Sequence, residues 1–308
     1  MGLSFQRFAA LLLVLTIVFS QNKLHGQVQQ SDTLNKKRLN TVLISYSAAY
    51  AATLGVLYFG WYKGNPSSNF HFVDDSQNWL QMDKMGHATT AYTFSNYAYW
   101  LLRWAGVNNT KSSLYGGLMG FGSMTVIEIL DGFSAEYGAS PSDLLANALG
   151  ASLSVTQNLI WKEQRISLKF SYTPSEYAQY YPSQLGKSPP QRIIKDYNGQ
   201  TYWLSASIGS FLRKESRFPK WLCISFGYGA DGMLSTTGNP SFSPEGEPLP
   251  QFERIRQYYL SFDVDLTKIK TNSKFLQFTF KALSFIKIPS PTVELNSKGQ
   301  FTWYWLYF

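Results

Sequence analysis

Apolar positions recur at helical spacing through Val42, Ile44, Tyr46, Ala49, Tyr50, Leu54, Leu57 and Tyr58, inside a stretch from Asn40 to Tyr62 that carries no charge. The pattern predicts one long helix, with enough apolar length to cross a bilayer. Three more helices are predicted at Asp83 to Trp104, Ser112 to Gly132 and Ser140 to Gln164. Their uncharged cores are studded with Ser, Thr and Asn, so they suit a helical bundle at least as well as lipid. After Ile166 the period changes. Short aromatic and β-branched stretches alternate with Gly, Pro and Asn turns, which predicts strands at Ile166 to Tyr172, Gln200 to Phe211, Trp221 to Ala230, Arg256 to Leu266 and Phe301 to Phe308. Lys274 to Ile286 reads either way and leans helical. The expected fold is α+β: an antiparallel four-helix bundle, in lipid or in water, then a β-rich region of five or six strands.

Ahead of the first helix, Met1 to Arg7 carries one positive charge and Phe8 to Phe19 is apolar apart from Thr16. This is the pattern of a secretory signal peptide of about 26 residues. The expected organisation is therefore 1–26 signal peptide, 27–165 helical domain and 166–308 β-rich region. No cysteine follows the apolar run, so no lipid anchor of the bacterial lipoprotein kind is expected, and the lone Cys223 offers no internal disulfide. The 27 basic residues against 19 acidic leave a net charge of +8 that is dispersed along the chain. Without a basic stripe or phosphate loop, nucleic acid is excluded as a partner. Aromatic residues make up 17% of the chain, with 20 Tyr, and such amphipathic rings suit surfaces that meet lipid and water. Membrane lipid or an envelope protein is the expected partner.

The polar residues that could carry chemistry gather in three blocks: Asp83-Lys84-Met85-Gly86-His87, Glu128-Ile129-Leu130-Asp131-Gly132, and Ser140-Pro141-Ser142-Asp143 with Asn147. Asp83 and His87, Glu128 and Asp131, and Asp143 and Asn147 each share a helix face by their spacing. Short links between antiparallel helices bring the three blocks to one end of a bundle. His87, Glu128, Asp83 and Asp131 are then candidate acid/base residues. His87, Glu128, Asp131 and Asp143 are candidate ligands of a divalent metal, with Lys84, Ser142 and Asn147 in support. Ordinary structural roles compete with these. Ser140-x-x-Asp143 with Pro141 is a capping box, Gly132 can close a helix, and Glu128 among aliphatics demands a partner wherever it is buried, with His87 the natural one. His71, between Phe70 and Phe72, reads as loop structure.

Asp83-Lys84-x-Gly86-His87, Glu128-x-x-Asp131-Gly132, Ser142-Asp143 and Asn147-x-x-Gly150 together resemble the signature of the YfiM-like family, domain of unknown function 2279, over roughly Leu39 to Trp161. A fainter similarity reaches the VanZ-like membrane proteins. The tail, with Lys195-Asp196-Tyr197-Asn198-Gly199-Gln200, looks like the longer form of the family found in some Gram-negative envelopes. The resemblance implies an envelope protein and no reaction. Its members are described as lipoproteins, and this chain departs from them in lacking the anchoring cysteine.

Charge placement bears on location. With an exported N-terminus, the loops facing the cytoplasm would hold Asp74, Asp75, Asp83, Asp131, Glu136 and Asp143, and Lys36-Lys37-Arg38, Arg103, Lys111, Lys162 and Arg165 would lie outside. That reverses the positive-inside rule. The sequence reading is thus a structural or binding component of the periplasm or outer membrane, with inner-membrane insertion as the alternative place. The alternative activity is an enzyme, hydrolase or transferase, acting on an envelope lipid or glycan through the His/Glu/Asp cluster.

Overall fold

The computed structural model describes residues 33–59, 66–213 and 215–308. The signal peptide and the end foreseen for the first helix lie outside them. The fold is α+β, and the chain divides into two compact units, one taking in the residues up to Asp75 with Thr90–Glu163, the other Ser76–Thr89 with Gln164–Phe308.

The first unit is helical. It holds α1 (Lys36–Leu57), most of α2 (Met82–Trp104), α3 (Asn109–Gly132) and α4 (Pro141–Ile160). Three of the four starts are set by a side chain accepting from an otherwise orphaned backbone N–H. Asn35 takes that of Arg38, Asn108 that of Lys111, and Ser140 that of Asp143, with Pro141 in the first turn. α3 ends at Gly132 with the right-handed Phe133 as its cap residue, and the missing Cβ of Gly132 leaves room for the Phe70 ring, which a Cβ there would meet at 2.3 Å. α3 packs on α2 through glycines: a Cβ on Gly116 or Gly120 would stand within 3 Å of α2 backbone at Ser95 and Ala91. Polar groups join the other faces. Tyr50 donates to the Ser123 carbonyl (2.6 Å), Ser154 to Asn96 Oδ1 (3.0 Å) and Asn109 to the Asn158 carbonyl (2.9 Å).

The second unit is built on one six-stranded antiparallel sheet in simple sequence order: β1 (Ile166–Tyr172), β2 (Gln200–Ser207), β3 (Leu222–Asp231), β4 (Ile255–Val264), β5 (Ser290–Asn296) and β6 (Phe301–Tyr307). The Gln200 to Phe211 stretch is strand only to Ser207, since Ile208–Phe211 forms a helical turn. The segment that leaned helical contains α5 (Lys274–Ala282). The sheet curls on itself. Thr201 Oγ1 and the Tyr307 hydroxyl are 3.1 Å apart, the Trp203 and Tyr307 rings meet, and Thr173 donates to the Phe308 carbonyl. The free edge of β1 is covered by a strap, in which Phe170 N donates to the Phe285 carbonyl and Lys287 N to that of Phe170. Covering an edge in this way removes a template for unwanted pairing.

The concave side of the sheet sets polar groups beside the packed rings of Trp203 and Tyr259. Ser205, Ser225, Ser261, Asp263, Thr292 and Glu294 are buried there. Trp79, Met82, Tyr202, Leu185, Met233 and Leu234 form a separate apolar core, to which the first turn of α2 belongs.

Candidate functional site

The candidate residues fall in both units. In the second, a run of three left-handed residues leads into α2: Trp79 (φ 51°), Leu80 (φ 50°) and Gln81 (φ 67°). Each costs about 1–2 kcal/mol relative to a right-handed backbone. The sheet holds them there, because Arg256 donates to the Leu80 carbonyl (3.0 Å) and to Gln81 Oε1 (2.6 Å), and the Tyr228 hydroxyl donates to the same carbonyl. The turn fixes where α2 begins and so aims Asp83, Lys84 and His87. Asp83 Oδ1 lies 3.8 Å from His87 Nε2 across one helical turn, as the spacing of four implies. Asp83 Oδ2 meets Lys84 Nζ at 3.1 Å, and the Tyr197 hydroxyl donates to Asp83 Oδ1 at 2.7 Å.

Burial alone would raise the Asp83 carboxyl, but the His87 and Lys84 charges and the Tyr197 hydrogen bond outweigh it and hold the group below the usual carboxylate range. Its folded value is thus lower than the value in the unfolded chain. The stability it contributes is full above about pH 4 and is lost as pH falls through the lowered folded value. Asp83→Asn is expected to cost about 1–2 kcal/mol at neutral pH, as the loss of hydrogen bonds to a charged acceptor does, and this gap should close in acid. Thermal melts of both proteins across pH 2–7 check it. Beside the site Asp196 accepts from Ser175 Oγ (2.6 Å), and burial pushes its carboxyl up.

In the first unit the second group lies where the end of α3 meets the start of α4. Glu128, only 2% exposed, accepts the Ser140 backbone N–H through Oε2 (3.0 Å). Ser140 therefore does two things, capping α4 with its hydroxyl and tying α3 with its amide. Ser140 and Ser142 both donate to Asp75 Oδ1, at 2.5 and 2.9 Å. Asp143 is buried in the first turn, where the helix dipole favours a carboxylate, and Asn147 is buried one turn later on the same face. Asp131 is partly exposed in the last turn of α3. His71 bridges the Asn69 and Tyr137 carbonyls at 3.2 and 3.1 Å, which makes it a loop tie as the sequence suggested.

Chemically, Asp83 with His87 is a carboxylate–imidazole pair able to exchange a proton or share a cation. The Glu128–Ser140–Asp75 group is a set of acceptors already engaged by protein donors. The sequence reading missed Asp75, Tyr197 and Arg256. Asp75 showed only as half of an acidic loop, and Tyr197 only as part of the tail block that resembles the longer form of the family.

Neither the curated proteins nor the solved structures contain a match to this chain. A family match does exist: residues 71–159 match the family described as "Predicted periplasmic lipoprotein (DUF2279)", in accord with an exported protein of the periplasm or outer membrane. The lipid attachment in that description is said of the family; the single cysteine of this chain, Cys223, is buried in β3. Residues 71–159, which contain Asp83, His87, Glu128 and Asp143, are thus the part of the chain that is similar to the DUF2279 family.

Proposed function

We propose that this protein is a structural component of a cell-envelope membrane, its helical unit held among lipid acyl chains. One observation carries the reading: the burial pattern of α3 and α4 is inverted, although Val42, Leu102 and Ala105 form a small apolar core at one end of the unit. The side chains buried in α3 are Ser, Gly, Met and Glu, and those in α4 are Asp, Ala, Asn, Gly, Ser and Gln. The large aliphatic side chains point outward instead, with Ile44 71%, Leu118 65% and Leu149 62% exposed. Water would drive such residues inside. Lipid exerts no such drive, and bundles within it pack on small and hydrogen-bonding residues. α1 and α3 are each long and apolar enough to cross a membrane. Charge agrees with this: Lys36, Lys37, Arg38, Lys111 and Lys162 lie at one end of the helices and Asp74, Asp75, Asp131, Glu136 and Asp143 at the other, which leaves the lengths between them uncharged apart from the buried Glu128. The Glu128–Ser140–Asp75 group then locks helix ends where the packed faces supply little apolar contact.

The test is a single arginine at each of Ile44, Leu118 and Leu149. In water, replacing an exposed aliphatic changes stability by about 0.5 kcal/mol at most. In lipid, arginine at mid-helix costs about 3 kcal/mol. Each variant is expected to lose most of its carbonate-resistant membrane fraction. Wild-type protein recovered in the soluble fraction, with all three variants as stable as it is, would overturn the proposal.

A further inference from the structure

The curled sheet repeats the inversion on its own elements. Along β2 to β6 the side chains alternate, and those facing into the curl include the buried Ser205, Ser225, Ser261, Asp263, Thr292 and Glu294, beside the packed rings of Trp203, Tyr259 and Tyr307. Those facing out are large and apolar: Leu204, Phe226, Leu260, Phe262, Trp303 and Leu306 are each between 43% and 71% exposed. Register joins them into one band, since Leu204 pairs with Phe226, Phe226 with Leu260, Leu260 with Val293, and Val293 with Trp303. None of these paired positions is charged; Arg256, on the same face of β4, lies beyond the band and is turned to Leu80 and Gln81. The polar interior is satisfied from within, by Lys169 on Asp263 (2.6 Å), Ser225 on Ser205 (2.8 Å), Thr292 on Ser261 (2.8 Å) and Tyr304 on Glu294 (2.8 Å).

A water-soluble sheet puts its apolar residues on the packed face and its polar ones on the wet face. The reverse alternation is the signature of strands in lipid. A contiguous apolar face of this size is itself uncommon on a soluble protein. Charge then selects the occupant. The loop from β2 to β3 and the segment from β4 to β5 emerge at the same end of the sheet and carry the exposed Arg213, Arg217, Lys220, Lys270 and Lys274 against Glu215. Among these cations stand the exposed Trp221 and Phe275, the latter in the amphipathic α5. Cations interleaved with aromatic rings next to an apolar band match an anionic headgroup layer next to hydrocarbon. A second protein chain would cover the band equally well but gives no reason for the basic end. We propose that the outward face of β2–β6 is a membrane-contact surface, seated against acyl chains, with its basic end at anionic lipid headgroups.

This inference does not depend on the helical unit, and the test separates the two. The full chain with Cys223→Ser takes one spin label at a time, at Phe226, Leu260 or Phe275 for the sheet unit, at Leu118 for the helical unit, and at Glu245 as an exposed loop reference. Each is reconstituted in phosphatidylcholine nanodiscs with and without phosphatidylglycerol. At Phe226 and Leu260, relaxation by oxygen is expected to exceed that by a water-soluble nickel chelate several-fold, with the opposite ratio at Glu245. At Phe275 lipid contact should require phosphatidylglycerol and disappear when Arg213, Arg217, Lys270 and Lys274 are all replaced by Gln. Nickel access at Phe226 and Leu260 equal to that at Glu245 would show a wet face. Exclusion of both reagents there would show a protein-covered face, and either result overturns the proposal. Contact at Phe275 indifferent to lipid charge overturns its headgroup part. The label at Leu118 reports on the helical unit alone.

Discussion

Gly120→Leu is expected to separate α3 from α2 and destabilise the protein by about 3 kcal/mol or more, the upper range for overpacking, because the obstacle is backbone that no rotamer change can clear. A Cβ at this position would lie 2.2 Å from Ser95 Oγ, 2.6 Å from Ser95 N and 2.7 Å from the Ala91 carbonyl oxygen. Gly116 sits one turn earlier with the Ser95 carbonyl and Tyr99 N each at 2.9 Å, so the two helices touch along a small-xxx-small stripe. With few large side chains between them, close backbone contact and hydrogen bonding supply most of the attraction. The control lies in the same helix. Gly122 has open space where its Cβ would go, so Gly122→Leu should be neutral or stabilise by up to about 1 kcal/mol through the better helix propensity of leucine. Thermal unfolding of both variants in the same detergent decides the matter. Equal melting temperatures would mean that the helix pair is not held by this approach.

The second large effect is expected inside the curl of the sheet. Asp263 accepts from Lys169 Nζ (2.6 Å), Ser205 Oγ (2.6 Å) and the Ile288 N–H (3.0 Å), with no exposed surface. Lys287 is buried nearby, its ammonium 4.8 Å from the centre of the Trp203 ring. Asp263→Ala would leave the buried Lys169 and Lys287 ammonium groups without the Asp263 carboxylate and should cost about 3–5 kcal/mol. The double variant Asp263→Ala with Lys169→Met should recover more than half of that loss, since an ion pair replaced as a unit by apolar side chains is often near neutral. Chemical denaturation of the two single variants and the double variant forms a cycle that measures the coupling. A double variant no better than Asp263→Ala would show that the aspartate acts through Ser205 and Ile288, not through the lysine.

The helices were legible because they carry their own punctuation. Ser140 caps where the sequence put a cap, with Pro141 in the first turn, whereas Asn35 and Asn108 start their helices a few residues ahead of the Asn40 and Ser112 expected from the apolar pattern. What the helices face was not legible. A stripe such as Ile44 and Leu57 has the same period whether it meets a protein core or lipid, and only the identity of the buried residues in the folded chain tells the two apart. β5 escaped the sequence reading for a related reason. Its inward positions are Ser290, Thr292, Glu294 and Asn296, and a strand that hides its polar residues resembles a loop to any rule expecting apolar ones inside. In the candidate site the local spacing held, with Asp83 and His87 one turn apart and Asp143 in its capping box. Tyr197 on Asp83 and Arg256 on Gln81 stayed invisible, because each joins residues more than a hundred positions apart.

That separation bears on how the chain reaches its fold. The left-handed run at Trp79 to Gln81 is costly until Tyr228 and Arg256, 148 and 176 residues downstream of Leu80, supply its hydrogen bonds. Contacts of such long range form late. In a polypeptide delivered from its N-terminus, the segment 76–89 must therefore wait, unfinished, until β4 has arrived. Asp83 and His87 take their final places only near the end of folding, so a chain truncated before Arg256 is one in which this pair is never set.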